Sequence, residues 1–189
     1  MLIRLWSQIG NRFNITSLLL DRGADPNAIT TDERGPLLKP PLGEYINSVD
    51  DPEPEIIELL LRYGARIILK VGTPSCLLMH KLLLNQSQVQ DPLGILKSMY
   101  RLSPQSVAFD VVVNAAESCS PAGIKRCTLL NSAQRQRLLE KASNPISLKQ
   151  QSRTRIRNLL GGSGPFLLEK IADLQIPNLM QQYLLFSAY

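Results

Sequence analysis

The sequence predicts an all-α protein in which stacked helix pairs are followed by a compact three-helix unit. A leucine-rich motif occurs twice, glycines follow it where helices end, and prolines open helices near the C-terminus. Of the 189 residues, 44% are hydrophobic and 20% are charged, which is ordinary for a folded protein. We therefore expect one domain, or one domain with a small appendage.

The leucine-rich motif I-x-x-L-L-L-x-x-G-A-x covers residues 15–25 and again residues 56–66. In each copy the isoleucine and the first two leucines lie at i, i+3 and i+4, which is the spacing of an apolar stripe on a helix. Gly23 and Gly64 stand where a helix needs a left-handed C-terminal residue. The two copies are predicted to be equivalent helices that end on Gly-Ala.

The segment Gly23-Ala24-Asp25-Pro26-Asn27 resembles the end of the second helix of an ankyrin repeat, and Thr73-Pro74 resembles the opening of the first helix. The resemblance implies a short ankyrin-repeat solenoid over residues 1–102, degenerate and incomplete at its N-terminus. The two glycines are 64 − 23 = 41 residues apart, whereas an ankyrin period is about 33. We expect the surplus in the proline-rich segment 35–41 and the acidic segment 50–54.

Further helices are predicted on either side of these segments. A short first helix is expected over 42–48, and helix pairs are expected to continue through 74–84 and 92–102. Residues 109–113 fit a strand or a helix by pattern alone. Helix starts at Ser120-Pro121 and Ser132 and a stop at Asn144-Pro145 predict two short helices within 103–145 that cap the solenoid.

Three helices are predicted after Pro145, over 147–160, from Pro165 through 171, and from Pro177 through 186. On the first of them Leu148, Ser152 and Ile156 share one stripe, while Lys149, Arg153 and Arg157 form another. The arginines at 153, 155 and 157 are expected on a solvated or acid-facing side. Five apolar residues are expected to pack the small unit: Leu159, Leu160, Leu167, Leu168 and Ile171.

The pattern of Ser147, Leu148, Ser152 and Ile156 resembles the elongin-C-binding box of the SOCS box, with Ser152 where that family has cysteine. Downstream, 174–177 (Leu-Gln-Ile-Pro) and the Tyr-Leu pair after it resemble the cullin-5 box, with glutamine in place of its first proline. Together with the repeats, these pieces resemble the ankyrin-repeat and SOCS-box family, with the SOCS box over 146–189.

This resemblance implies a non-catalytic substrate-recognition subunit of an elongin BC–cullin–SOCS-box ubiquitin ligase, which recruits an unidentified target protein through its repeats. Elongin C, together with elongin B, is expected on Ser147, Leu148, Ser152 and Ile156. Cullin-5 with its RING protein is expected on Leu174, Ile176, Pro177, Tyr183 and Leu184, although cullin-2 stays open. The alternative is an ankyrin scaffold whose SOCS box no longer recruits a ligase.

Other classes of function receive little support from composition. One histidine and three cysteines without CxxC spacing predict no metal, cofactor or catalytic site, so a hydrolase or transferase is the weakest hypothesis. A net charge of +5 with 5% aromatic residues does not predict nucleic-acid binding. The sequence contains no run of about 18 apolar residues, and we expect a cytoplasmic protein, with the nucleus possible. The glycine-rich segment 161–164 is expected to be a hinge.

Overall fold

The computed structural model describes residues 11–28, 40–69, 95–119, 121–161 and 163–187. Two short strands, β1 (Ile68–Leu69) and β2 (Ser118–Cys119), pair in parallel with Ile68 opposite Ser118. A 3-10 turn, Met99–Arg101, directly follows the helix Ile95–Ser98. The helices are α1 (Arg12–Asp21), α2 (Pro41–Ser48), α3 (Pro54–Arg62), α4 (Ile95–Ser98), α5 (Val107–Ala115), α6 (Pro121–Arg126), α7 (Ser132–Ser143), α8 (Leu148–Leu160), α9 (Pro165–Ala172) and α10 (Asn178–Leu184). The predicted all-α class is confirmed for the described residues.

The two copies of the leucine-rich motif form equivalent helices with equivalent ends. Gly23 has φ 86° after α1 and Gly64 has φ 102° after α3, so both occupy the left-handed region that favours glycine. The N–H of Gly23 donates to Leu20 O at 3.0 Å, and that of Gly64 donates to Leu61 O at 3.0 Å. The sequence repeat is therefore a structural repeat, with the helix ends closed in the same way.

The turns after α1, α3 and α5 are joined side by side by hydrogen bonds. The Asn27 side chain donates to Gly64 O at 2.9 Å and accepts from the Arg66 N–H at 2.9 Å. Glu117 N–H then donates to Ile67 O at 2.8 Å, and the Arg66 guanidinium lies 2.7 Å from the Glu117 carboxylate. We call residues 25–27, 64–67 and 116–117 the turn ladder. Successive units are thus stacked in register, as a solenoid requires, while their ankyrin identity stays a prediction.

The main core is built around α3, which packs between α1 and α5. Its most buried side chains are contributed by α2, α3, α4 and α5, and they include Tyr45, Ile46, Ile56, Ile57, Leu60, Leu61, Leu96 and Phe109. Residues 109–113, left open between strand and helix, lie in α5, whose first turn is capped by the Ser106 hydroxyl accepting from Phe109 N–H at 3.1 Å. An α-helix with an N-terminal cap therefore replaces the strand alternative.

The outer helices α6 and α7 begin at Pro121 and Ser132, as predicted. The cap of α7 is Asn131, whose side chain accepts from Gln134 N–H at 2.8 Å, while the Gln134 side-chain oxygen accepts from Asn131 N–H at 2.9 Å. Gln134 also donates to Leu102 O at 2.7 Å, which ties α7 to the end of the 3-10 turn.

Several predicted features are only partly observable. The short helix expected over 42–48 is α2, and α4 with the 3-10 turn lies within the pair expected over 92–102. The helix expected over 74–84 lies outside the described residues, together with Thr73-Pro74. In the described parts of the chain, no helix combines the length and apolar character that crossing a bilayer needs.

The hydroxyl of Tyr63, the residue that follows α3, donates to the carboxylate of Asp21 on α1, and burial together with this bond raises the pKa of Tyr63 to about 12. Removing the hydroxyl in Tyr63→Phe should lower the free energy of unfolding by about 1.5 kcal/mol at pH 8, since the bond is to a charged acceptor. Because the phenol's pKa is higher in the folded state, its stabilising contribution is complete below about pH 10 and is lost as the pH rises towards 12.

Urea unfolding of both proteins between pH 8 and pH 12 measures this difference. The gap between native and Tyr63→Phe protein should close across that pH range. The half-exposed Tyr100 supplies a control, since Tyr100→Phe should change stability by less than about 0.5 kcal/mol. A gap that is constant with pH would contradict the role of the hydroxyl.

Candidate partner-binding site

Helix α8 has an apolar face that points outward and a polar face that points inward. Its outer stripe consists of Leu148, Ser152, Ile156 and Leu159, with Leu148 81% and Leu159 70% exposed. Its inner face consists of Gln150, Arg153 and Arg157, with the arginines only 4% and 8% exposed. The helix begins at Ser147, whose hydroxyl accepts from Gln150 N–H at 3.2 Å, and ends at Gly161. This orientation is the reverse of that of an ordinary surface helix.

Arg157 explains why the polar face is inside. Its guanidinium donates to Leu61 O at 2.6 Å and Arg62 O at 3.2 Å, at the C-terminus of α3, and to Leu184 O at 2.5 Å, at the C-terminus of α10. The last carbonyls of a helix have no partner within it and form the negative end of its dipole. A buried cation placed there gives a hydrogen bond to Arg62 O and Leu184 O and a second one to Leu61 O, which also accepts from the Gly64 N–H.

The same face closes the end of α5. The Gln150 side chain donates to Asn114 O at 2.8 Å and to Ala116 O at 3.0 Å, while Arg153 reaches Asn114 O at 3.4 Å. Helix α8 therefore crosses the C-terminal ends of α3 and α5 and supplies side-chain donors to both.

Aromatic rings of the C-terminal segment cover the basic residues of α8. Lys149 Nζ lies 4.3 Å from the centre of the Tyr183 ring, and the Arg153 guanidinium lies 3.9 Å from that of Phe186. Arg157 contacts Phe186 from 5.0 Å. Phe186 has φ 57°, an uncommon conformation for a bulky residue, and its contacts with both guanidiniums and with the main core hold it there.

These contacts correct the prediction for the arginine cluster. Arg155 is exposed as expected, but Arg153 and Arg157 are buried. Burial and the neighbouring charge of Arg153 lower the pKa of Arg157 to about 10, so Arg157 is still charged at neutral pH. The spacing of Gln150, Arg153 and Arg157 at i, i+3 and i+7 was the available signal for a single polar face.

The second core, inside the three-helix unit, is small. Leu167, Ile171 and Leu184 are buried, and four residues pack against them partly buried: Leu160, Leu174, Ile176 and Leu185. Two predictions are wrong here, because Leu159 is exposed on the outer stripe and Leu168 packs on the main core.

The expected cullin-contact residues occupy different environments. Leu184 is a core residue, Leu174 and Ile176 are half-buried beside it, and Pro177 is exposed. Tyr183 is half-buried beneath Lys149 and Arg153. Sequence reasoning missed three strongly exposed apolar residues of the same unit, namely Phe166, Leu179 and Met180. Their positions just after Pro165 and Pro177 gave no distinguishing pattern.

The glycine-rich segment after α8 is fastened to the turn ladder. Gly164 N–H donates to Tyr63 O at 2.7 Å, and the Ser163 hydroxyl donates to Asp25 at 3.1 Å. Gly161 and Gly164 have positive φ, which allows the sharp change of direction between α8 and α9. Ser163 and Gly164, in the segment expected to be a hinge, are thus held in place by hydrogen bonds.

The comparisons with known proteins agree with part of this picture. The SOCS box family model matches residues 144–185, the segment that contains α8, α9 and α10. Neither the curated proteins nor the solved structures contain a match to this chain. Among the described residues no group of three histidine, cysteine or acidic side chains is placed to hold a metal ion. The chain therefore carries a SOCS box, the adaptor motif for elongin BC and cullin.

Arg157→Ala should lower the free energy of unfolding by about 3 kcal/mol, because it leaves buried carbonyls of α3 and α10 without donors. The matched control is Arg155→Ala, the same substitution two residues away on the exposed side of the same helix, which should cost less than about 0.5 kcal/mol. Urea unfolding monitored by circular dichroism measures both. Equal losses in the two variants would show that the inner face does not support the fold.

Proposed function

We propose that this protein is the non-catalytic substrate-recognition subunit of an elongin BC–cullin ubiquitin ligase. The observation that carries the proposal is the outer stripe of α8, where Leu148 is 81% exposed within the segment that matches the SOCS box. An exposed apolar stripe is stabilised when a partner protein removes it from water.

Elongin C is the proposed occupant of the outer stripe, with elongin B bound to it. The inner face of α8 is already taken by carbonyls of the same chain, so a partner helix or groove has only the outer face to use. Leu148, Ile156 and Leu159 offer the apolar contacts, while Ser152 lies between them. Ser147 acts as the helix cap, and through this it fixes the position of Leu148.

Cullin-5 with its RING protein is proposed to bind next to this surface. Pro177 is the N-cap residue directly before α10, and its carbonyl accepts from Met180 N–H at 2.8 Å, which fixes the chain direction at Ile176. Ile176 and Pro177 are the proposed direct contacts. This surface is supported on its inner side by Leu174 and Leu184, which pack in the small core. Tyr183 supports it through its ring contacts with Lys149 and Arg153.

Target recruitment is proposed to use the stacked units. In this scheme residues 1–102 are ankyrin repeats, 103–145 cap them, and 146–189 are the SOCS box. The repeated helix ends and the turn ladder support a solenoid. The second candidate, a scaffold that no longer recruits a ligase, is favoured by Ser152 and Gln175, which depart from the family pattern. Capture of elongin BC by the full chain separates the two.

Leu148→Ala should weaken binding to elongin BC more than tenfold, equivalent to more than about 1.4 kcal/mol, because an apolar anchor in a desolvated pocket dominates such interfaces. Folding stability should be almost unchanged, since the side chain is exposed. Calorimetric titration of purified chain with elongin BC measures the affinity, and thermal unfolding checks the fold.

Leu129→Ala is the matched control, because Leu129 is also an exposed leucine but lies before α7, outside the SOCS box. It should bind as the native chain does. Ser152→Cys should bind at least as tightly, since it removes a hydroxyl from an apolar contact. Native affinity in Leu148→Ala would rule out the outer stripe as the elongin surface.

Replacing Ile176 and Pro177 together by alanine should reduce cullin-5 binding to the preassembled elongin BC complex while elongin binding is retained. The loss of apolar contact and of a fixed backbone at α10 accounts for the effect. Titrating cullin-5 and cullin-2 separately tests the choice of cullin, with cullin-5 expected to bind more tightly. Unaltered cullin-5 binding, or tighter binding of cullin-2, would contradict the assignment.

A further inference from the structure

An exposed serine followed by proline lies in the loop that precedes α5. Ser103 and Gln105 are exposed there, and Pro104 stands half-buried between them. We propose that Ser103 is a phosphorylation site for a proline-directed protein kinase, and that the phosphate it receives binds Arg137 on α7. The site lies outside the SOCS box, and the proposal does not depend on the proposed ligase function.

The Ser103 hydroxyl makes local hydrogen bonds within one exposed turn. It donates to the Gln105 side chain at 3.1 Å and accepts from the Gln105 N–H at 3.4 Å. The turn is closed by the Ser106 N–H, which donates to Ser103 O at 3.0 Å. A kinase that opens this turn exchanges a few exposed hydrogen bonds for bonds to water, which is a small cost. The hydroxyl is therefore accessible in the folded chain.

Pro104 determines the class of kinase. Proline favours extended backbone in the residue before it, and Leu102 is already extended with φ −89° and ψ 127°. A substrate segment lies extended in a kinase cleft, so this part of the loop is close to the required form. Proline also has no N–H, and a cleft without an acceptor at this position leaves the N–H of any other residue unpaired. Such a cleft selects Ser-Pro.

The reaction uses MgATP as the phosphoryl donor. The Ser103 hydroxyl oxygen forms a bond to the γ-phosphorus, and the bond from that phosphorus to the oxygen bridging it to the β-phosphorus breaks. The catalytic aspartate of the kinase takes the hydroxyl proton, and ADP leaves. Ser103 thereby gains a phosphate with a charge of about −1.5 to −2 at pH 7.

Arg137 is placed to bind this phosphate. Its guanidinium donates to Pro104 O, the carbonyl next to Ser103 in the chain. It also contacts the Asp110 carboxylate and lies 5.1 Å from the centre of the Phe109 ring. These contacts hold the guanidinium at the turn, although 40% of the side chain is still exposed to solvent. Guanidinium groups pair strongly with phosphate oxygens, so phosphorylation should connect the turn to α7 more firmly.

The modification is tested on the full chain with MgATP and an activated mitogen-activated protein kinase, and in parallel with a cyclin-dependent kinase and its cyclin. Tandem mass spectrometry locates the phosphate, and a peptide of residues 98–109 controls for kinase activity. Ser103 should be phosphorylated in the folded chain. Pro104→Ala should lower the rate at Ser103 by more than about tenfold, because the selecting residue is lost. Any rate at Thr73 and Ser120, which are also followed by proline, should be unaltered.

Thermal unfolding of the phosphorylated and unmodified chains tests the contact with Arg137. Phosphorylation should raise the Tm by about 2 °C, the size expected for one charge-assisted hydrogen bond in a chain of this length. Arg137→Gln and Asp110→Asn break the same ion pair, so a purely structural effect would be alike in both. For a phosphate contact the effects are opposite. The rise should disappear in Arg137→Gln and become larger in Asp110→Asn, because Asp110 competes for the guanidinium and repels the phosphate.

Phosphorylation of the peptide without phosphorylation of Ser103 in the folded chain would overturn the proposal, and so would the absence of phosphate at Ser103 in both. An equal rise in Tm in the native chain and in Arg137→Gln would overturn the contact with Arg137. Elongin takes no part in these measurements, so a failed phosphorylation site leaves the proposed ligase function untouched.

Discussion

The hydrogen bonds from the inner face of α8 to the ends of α3 and α5 determine how the two parts of this molecule are joined. Helix ends leave carbonyl groups without partners, and burying such groups unsatisfied costs about 1–3 kcal/mol each. Arg157 donates to Leu61 O and Arg62 O at the end of α3, and Gln150 donates to Asn114 O and Ala116 O at the end of α5. Because these donors come from one face of one helix, the position and rotation of α8 are both fixed.

The rotation of α8 has a direct consequence for recognition. With its polar residues committed to the stacked helices, the helix has only its apolar side left to present to a partner. The small core of Leu167, Ile171 and Leu184 is too limited to hold three helices alone. Phe186, Leu168 and the bond from Gly164 to Tyr63 join the unit to the main core. The proposed ligase surface and the stacked units therefore form one connected body rather than two units on a flexible link.

Much of this fold could be predicted from local residue chemistry. Gly23 and Gly64 end their helices because the left-handed conformation is accessible to glycine, and Pro121 and Pro165 begin theirs because a first-turn residue needs no N–H donor. The match of the SOCS box to residues 144–185 likewise follows a pattern of residues close in sequence. Residues 109–113 were ambiguous because a continuous apolar run fits a buried strand as well as a buried helix.

The sequence by itself determined that α8 has an apolar stripe and a basic stripe, since helical periodicity places Leu148 with Ile156 and Arg153 with Arg157. Only the tertiary structure decided which stripe faces inward. The Arg157 guanidinium donates to the carbonyls of Leu61, Arg62 and Leu184, and the ring of Phe186 covers it. These groups are distant in sequence, and no local pattern shows that helix ends will meet there. Burial of arginine is favourable only where such acceptors converge, and their convergence is a property of the folded chain.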